Sequence, residues 1–146
     1  CRQDTDAQRQ QRRDLIKLSK HKGFQGITRH LLPRLLSDTA LADEALVEDV
    51  LAMARETGRD GFTSQQTAIL GRQEQMETLS GFRAPLLVLC GQLDVLTPPD
   101  LSREMADLVP HADLCLLDGV GHLSAMEAPD AVTSAVTNLC KKSGMA

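Results

Sequence analysis

The chain has 146 residues and a formal net charge of −4, with 42% hydrophobic and 25% charged residues. This length suffices for one domain with its own core. The acidic balance disfavours non-specific binding to nucleic acid, and no apolar run approaches the roughly 20 residues that a membrane span requires. The composition therefore predicts neither a nucleic-acid partner nor a membrane partner.

The four cysteines are Cys1, Cys90, Cys115 and Cys140, and none of them forms a Cys-x-x-Cys pair. Such spacing favours small buried thiols over a disulfide framework, so we expect a reducing, cytoplasmic setting. The chain does not begin with Met, and its first residues do not resemble a signal peptide. We expect it to be processed, truncated or cut from a longer protein.

Residues 1–80 predict only helices. A charged, Gln-rich helix spans Ala7 to about Lys20. Apolar residues then recur at helical spacing at Phe24, Ile27, Leu31, Leu32 and Leu35, with Pro33 expected to divide them into two short helices. A third stretch has its apolar face at Leu46, Val47, Val50, Leu51 and Ala54; Asp43 is its expected N-cap and Gly58 its expected end. Thr63-Ser64-Gln65-Gln66 resembles a capping box that opens a last helix to about Leu79.

Residues 81–146 have a different pattern, in which strands alternate with helices. The runs Pro85–Cys90 and Ala112–Leu117 are short and apolar without alternation, which is typical of parallel strands covered on both faces. Helices are predicted to begin at Pro99 and Pro129, each with Pro as the first helical residue. Strand, helix, strand, helix is the unit of a doubly wound α/β sheet. Two strands alone do not make a stable sheet, so we expect further strands to come from elsewhere.

Two loops follow the predicted strands, one with Asp94 and the other with His122 in Gly119-Val120-Gly121-His122-Leu123. Taken singly, an Asp after a strand is typical of a turn, and a His after Gly-x-Gly is typical of a surface loop. Parallel neighbouring strands would nevertheless bring both residues to the edge of the sheet where ligands bind. This shared placement favours a site over two unrelated loop residues.

The order of these motifs resembles the C-terminal part of α/β-hydrolases. The motifs are, in chain order, Gly-x-x-Asp-x-x-Thr-Pro from Gly91 to Pro98, Glu104-Met105-Ala106, Gly-His-Leu beginning at Gly121, and Met126-Glu127 followed by Pro129. The resemblance implies a helical cap over residues 1–80, followed by the last two strand-helix units of the parallel core over residues 81–146. It also implies hydrolysis of a carboxylic ester or lactone without a cofactor, although the family hosts dehalogenases, epoxide hydrolases, C–C bond hydrolases and peroxidases as well.

In that family the chain order is nucleophile, acid, histidine. The resemblance therefore implies that Asp94 orients His122, and that His122 carries the proton of a serine nucleophile. An acid after the preceding strand is the alternative, with Asp4 or Asp6 in that role. Cap residues Leu31, Met53, Phe62 and Ile69 would contact the substrate, with ordinary core packing as the alternative reading of each.

This sequence contains no Gly-x-Ser-x-Gly motif and no His-Gly-type oxyanion loop. Because the nucleophile and the oxyanion donors supply most of the rate acceleration, we expect this segment alone to be inactive. Its expected partner is the missing N-terminal half of the hydrolase or a swapped copy of itself. The rival interpretation is a split or degenerate hydrolase-like module that binds a partner without catalysis.

Charge and residue spacing bear on two further functions, nucleic-acid or lipid binding and metal binding. A basic run from Arg9 to Lys22 could contact nucleic acid or anionic lipid, but it lacks interleaved aromatic residues and is typical of a solvated helix face. The histidines and cysteines lack metal-ligand spacing, so no metal is predicted.

Overall fold

The elements follow the predicted change from helices to alternating strands and helices. A computed structural model describes residues 2–21 and 26–144, so Cys1, Lys22, Phe24 and their predicted roles lie outside the described residues. The helical part comprises α1 (Asp6–Ser19), a 3₁₀ helix (Arg29–Arg34), α2 (Asp38–Leu41), α3 (Glu44–Gly71) and α4 (Met76–Ser80). The second part comprises β1 (Leu87–Gly91), α5 (Pro99–Asp107), β2 (Asp113–Leu117), α6 (Ser124–Glu127) and α7 (Pro129–Lys142).

The predicted helix starts are confirmed where local chemistry determines them. The side chain of Asp43 accepts hydrogen bonds from the N–H groups of Ala45 and Leu46 and so caps α3. Pro99 and Pro129 are the first residues of α5 and α7, where the absent N–H of proline costs no helical hydrogen bond.

The predicted helix end at Gly58 is confirmed, whereas the predicted start at Thr63 is wrong. Gly58 adopts φ 61° and ψ −176°, which interrupts the helical backbone of α3, and a second helical segment follows directly and continues to Gly71. The Thr63 hydroxyl donates to the carbonyl of Arg59 instead of accepting from an N–H as a cap would. The helix expected to reach Leu79 ends at Gly71, and the short α4 follows after a four-residue break.

Pro33 does not separate two helices. It lies inside the 3₁₀ helix, which tolerates a residue without an N–H because it is short and loosely bonded. The N–H groups of Leu35 and Leu36 both donate to the carbonyl of Leu32, which closes the helix before α2 begins. This 3₁₀ corner, which comprises residues 29–37, places Leu35, Leu36 and Ser37 against the second part of the chain.

β1 and β2 pair in parallel, with Leu87 opposite Asp113 and Gly91 opposite Leu117. Helix α5 connects them and contacts both strands, as a parallel crossover requires. Within the described residues this is the whole sheet. Each strand therefore has a backbone edge to which no other described strand is paired, and such an edge can pair with a further strand.

The main hydrophobic core lies in the helical part and extends to the segment after His122. Its buried members come from the 3₁₀ corner, α2 and α3: Leu32, Leu36, Ala40, Val47, Val50 and Leu51. Leu123 and Met126 pack against this core from the second part of the chain. Both parts consequently share apolar contacts directly beside the His122 loop.

Several large apolar side chains stay exposed on the second part. Leu101 on α5, Leu114 on β2 and Val136 on α7 expose 41%, 37% and 46% of their surface. The described helices include none with the length and hydropathy to cross a bilayer.

Candidate active site

The loops after β1 and β2 meet at one edge of the sheet because the strands are parallel. The N–H of Gln92 donates to the carbonyl of Leu117, and the N–H of Leu93 donates to the carbonyl of Val120, at 2.9 and 2.8 Å. These two bonds continue the strand ladder into the loops. They bring Asp94 and His122 onto the same edge.

Close approach of the loops requires glycine at the end of β1. A Cβ atom on Gly91 would lie 2.2 Å from the carbonyl oxygen of Gly121 and 2.3 Å from that of Val120. Both obstacles are backbone atoms, so no side-chain rotation can relieve the overlap. Gly91 thus permits the acid loop and the histidine loop to lie in contact.

The carboxylate of Asp94 is buried and fully hydrogen-bonded. Its side chain is only 5% exposed. Oδ1 accepts from the N–H groups of Leu96 at 2.8 Å and Thr97 at 2.9 Å. Oδ2 accepts from the Thr97 hydroxyl at 2.7 Å and lies 2.8 Å from Nδ1 of His122.

This environment favours the ionised form of Asp94. Burial acts to raise the pKa of its carboxyl group. The hydrogen bonds from the Thr97 N–H, the His122 ring, the Thr97 hydroxyl and the Leu96 N–H outweigh burial and hold this pKa below its usual value. A negative charge therefore faces Nδ1 of the imidazole.

The His122 side chain is 32% exposed, so part of its ring remains accessible. When Nδ1 carries its proton and donates to Asp94, Nε2 holds a free lone pair. Among the described residues, the ring has hydrogen-bonding contacts with Asp94 and, at 3.5 Å, with the Thr97 hydroxyl. The arrangement can orient an imidazole as a proton acceptor at Nε2.

The alternative acids do not take part in this arrangement. Asp4 is bonded to Arg12 at 2.5 Å and lies 3.5 Å from Arg72, with its side chain 5% exposed. The hydrogen bond from Arg12 lowers the pKa of the Asp4 carboxyl against the opposing effect of burial. Asp6 is exposed in the first turn of α1. The acid that contacts His122 is Asp94.

The four residues of the helical part that were expected to contact the substrate are dispersed within that part. Leu31 and Met53 are 39% and 53% exposed, and Phe62 and Ile69 are partly buried on α3. None of the four belongs to the main core. Their substrate role stays a prediction.

Two residues of the site received no individual role from the sequence. Thr97 contacts the Asp94 carboxylate through both its hydroxyl and its N–H. Glu127 accepts backbone N–H bonds beside His122. Both belong to motifs that carried the family resemblance, but local spacing did not indicate their partners.

Metal-binding geometry is not found in the described part of the chain, where no three His, Cys, Asp or Glu side chains cluster suitably.

Cys90, Cys115 and Cys140 are free thiols. The Cys90 sulfur is buried beneath the acid loop, 4.0 Å from Oδ2 of Asp94.

The sequence matches the family model described as the alpha/beta hydrolase fold over residues 3–129, and the chain belongs to the α/β-hydrolase family. The fold class predicted from the sequence is thereby confirmed. The match extends across both the helical part and the paired strands.

Solved structures and curated sequences agree with this assignment. A thermophilic esterase from Thermogutta terrifontis superposes with a TM-score of 0.87 at 25% identity, over 97% of this chain and 52% of that one. The enol-lactonase from Burkholderia xenovorans gives a TM-score of 0.77 at 25% identity, over 96% and 52%. BpoC of Mycobacterium tuberculosis, provisionally named a non-heme bromoperoxidase, is 43% identical over 53 residues, or 36% of this chain and 20% of that protein.

The chain spans about half the length of these two solved structures. Its two strands correspondingly form only part of an α/β-hydrolase sheet.

Proposed function

We propose that the complete protein hydrolyses a carboxylic ester or lactone through an acyl-serine intermediate, and that this chain supplies the acid, Asp94, and the histidine, His122. The observation that carries the proposal is the 2.8 Å contact between Oδ2 of Asp94 and Nδ1 of His122 at the carboxyl edge of parallel strands. That edge is where open α/β sheets bind their ligands. The similarity to an esterase and to an enol-lactonase favours this substrate class.

In the proposed mechanism, Nε2 of His122 removes the proton from a serine hydroxyl while the serine oxygen attacks the carbonyl carbon. The buried Asp94 carboxylate stabilises the imidazolium that forms. The tetrahedral intermediate then collapses, the bond to the leaving alcohol breaks, and His122 returns the proton to that alcohol. Water repeats the sequence on the acyl-serine and releases the carboxylic acid.

The serine and the oxyanion donors would lie on the part of the family fold that precedes this chain, in the order nucleophile, acid, histidine. This part is the proposed partner, either as an N-terminal half or as a swapped copy. No cofactor is required by acyl transfer of this kind. The free thiols support a reducing, cytoplasmic compartment.

The first experiment is to label an extract of the source cells with a fluorophosphonate probe and to recover this segment with an antibody. A labelled species larger than the chain, or a labelled protein that co-purifies with it, is expected. Recovery of the segment unlabelled and without a labelled partner would count against a serine hydrolase.

The second candidate is a split or degenerate module that binds a partner without catalysis. The unpaired strand edges and the exposed Leu101, Leu114 and Val136 favour such a partner. The sequence encoded upstream of Cys1 discriminates the two functions. A Gly-x-Ser-x-Gly motif after a strand favours the enzyme, whereas a start codon near Cys1 favours the module.

A further inference from the structure

Glu127, at the end of α6, joins the His122 loop to the helical part. Its Oε2 accepts hydrogen bonds from two backbone N–H groups, those of Ser37 and Gly121, each at 3.0 Å. Its Oε1 is buried and has no hydrogen-bond partner among the described residues. Within the described structure, the hydrogen bonds of this carboxylate are those with the N–H groups of Ser37 and Gly121.

A second pair of bonds lies beside the first. The carbonyl oxygen of Leu35 accepts from the N–H of His122 at 3.0 Å and from the N–H of Leu123 at 3.1 Å. Three consecutive N–H groups, those of Gly121, His122 and Leu123, are therefore bound by acceptors from Glu127 and Leu35. The backbone that carries the imidazole is held on both sides of His122.

The fit around Glu127 leaves little freedom. A Cβ on Gly121 would lie 2.9 Å from Oε1 of Glu127 and 2.9 Å from the Ser37 nitrogen. Any side chain at position 121 would overlap the Glu127 carboxylate or the 3₁₀ corner, so this position requires glycine. Hydrogen bonds with a charged acceptor are stronger than neutral ones, so Glu127 is the stronger member of this attachment.

We propose that Glu127 is a positioning residue for His122: by binding the N–H groups of Gly121 and Ser37 at once, it sets the backbone so that the imidazole meets Asp94. The structural part of this inference is independent of the reaction, and only its effect on turnover rests on the proposed function.

Two substitutions separate positioning from general stability. Glu127→Leu removes the acceptor at similar size, whereas Glu127→Gln keeps an amide oxygen that can accept both N–H bonds. Glu44→Leu is the matched control, because the Glu44 carboxylate is 69% exposed and bonds Arg29 on the surface. All variants are made in the complete protein that carries this chain.

Amide hydrogen exchange and the imidazole ¹⁵N signals measure the effect directly. In Glu127→Leu, exchange at Ser37 and Gly121, whose N–H groups lose a charged acceptor, should accelerate at least about tenfold more than exchange at β1 amides. The Nδ1 signal of His122 should also leave its wild-type position, and Glu127→Gln, which keeps a neutral acceptor, should restore both in part. Uniform acceleration across the protein with an unchanged Nδ1 signal would overturn the proposal. If Glu127→Leu does not fold, Glu127→Asp, whose shorter side chain cannot span both N–H groups, gives the same comparison.

Kinetics with p-nitrophenyl acetate supply the second readout. Glu127→Leu should lower kcat about 10- to 100-fold, the cost of a small misplacement of a catalytic group, with KM nearly unchanged. Glu127→Gln should lower kcat less than Glu127→Leu does, and Glu44→Leu should stay near the wild type. A wild-type protein that neither hydrolyses the ester nor reacts with a fluorophosphonate contradicts the proposed function, and the exchange and ¹⁵N measurements then still decide the positioning role.

Discussion

The hydroxyl of Thr97 donates a hydrogen bond at 2.7 Å to Oδ2 of Asp94, the same oxygen that lies 2.8 Å from Nδ1 of His122. Thr97 therefore helps to determine which lone pair of Asp94 remains for the imidazole. The N–H groups of Leu96 and Thr97 bind the other oxygen, so the carboxylate cannot rotate without breaking bonds on both sides.

Thr97→Val removes this hydroxyl while keeping the shape of the side chain. We expect a loss of about 1 kcal/mol in the free energy of unfolding, as for a typical hydrogen bond, and a roughly tenfold lower kcat. Thr97→Ser retains the donor and should behave like the wild type. Urea denaturation measures the change in the free energy of unfolding, and initial rates measure the change in kcat. Equal rates for the valine and serine variants would show that the Thr97 hydroxyl has no role in turnover.

His122→Ala in the complete protein should lower turnover by roughly 10³-fold or more, because no other described group occupies the place of the general base. Asp94→Asn should also lower turnover by roughly 10²- to 10⁴-fold by favouring the wrong imidazole tautomer. The control is His111→Ala, since His111 is exposed and its Nε2 lies 3.0 Å from the carbonyl oxygen of Ala84, away from Asp94 and His122. Turnover of His122→Ala within tenfold of the wild type would exclude His122 from the mechanism.

The lowered pKa of Asp94 predicts a specific pH dependence of stability. The carboxyl binds its proton less tightly in the folded state than in the unfolded state, where its pKa is near the ordinary 3.8. Its contribution is therefore fully present above that value and is lost as the pH falls through the lower folded pKa. Urea unfolding from pH 6 to pH 2 should reveal an acid loss in the wild type that is smaller in Asp94→Asn. Parallel curves for the two proteins would contradict the assigned shift.

Gly91→Ala should destabilise the protein by about 1–3 kcal/mol or more, because its Cβ would overlap backbone oxygens of Val120 and Gly121. The matched control is Gly71→Ala, where a Cβ meets nothing within 4 Å. That variant should be neutral or slightly stabilising because alanine favours helices. Thermal unfolding of both variants measures the difference, and an equal effect would mean that the loops can separate at no cost.

The sequence was sufficient to predict the elements whose signals are local. Asp43 as a cap and Pro99 and Pro129 as helix starts act within one turn, and the apolar runs that became β1 and β2 are continuous. The proximity of Asp94 and His122 followed from one general rule, that parallel strands end at the same edge. Their catalytic role stays a prediction.

Features that depend on distant partners were not predictable. Helical structure resumes directly after the break at Gly58, where α1 packs along α3 and the hydroxyls of Ser19 and Thr63 lie 2.8 Å apart. Tertiary packing of this kind supports helix on both sides of the kink. The partner of Glu127 at Ser37 is 90 positions away, and no local pattern indicates it.

The double acceptance by the Leu35 carbonyl has a consequence for protein engineering. The corner from Leu35 to Ser37 belongs to the helical part, yet it also holds the backbone of the histidine loop. An exchange of the helical part for that of another protein must therefore reproduce this corner, or it will alter the alignment of the imidazole with Asp94.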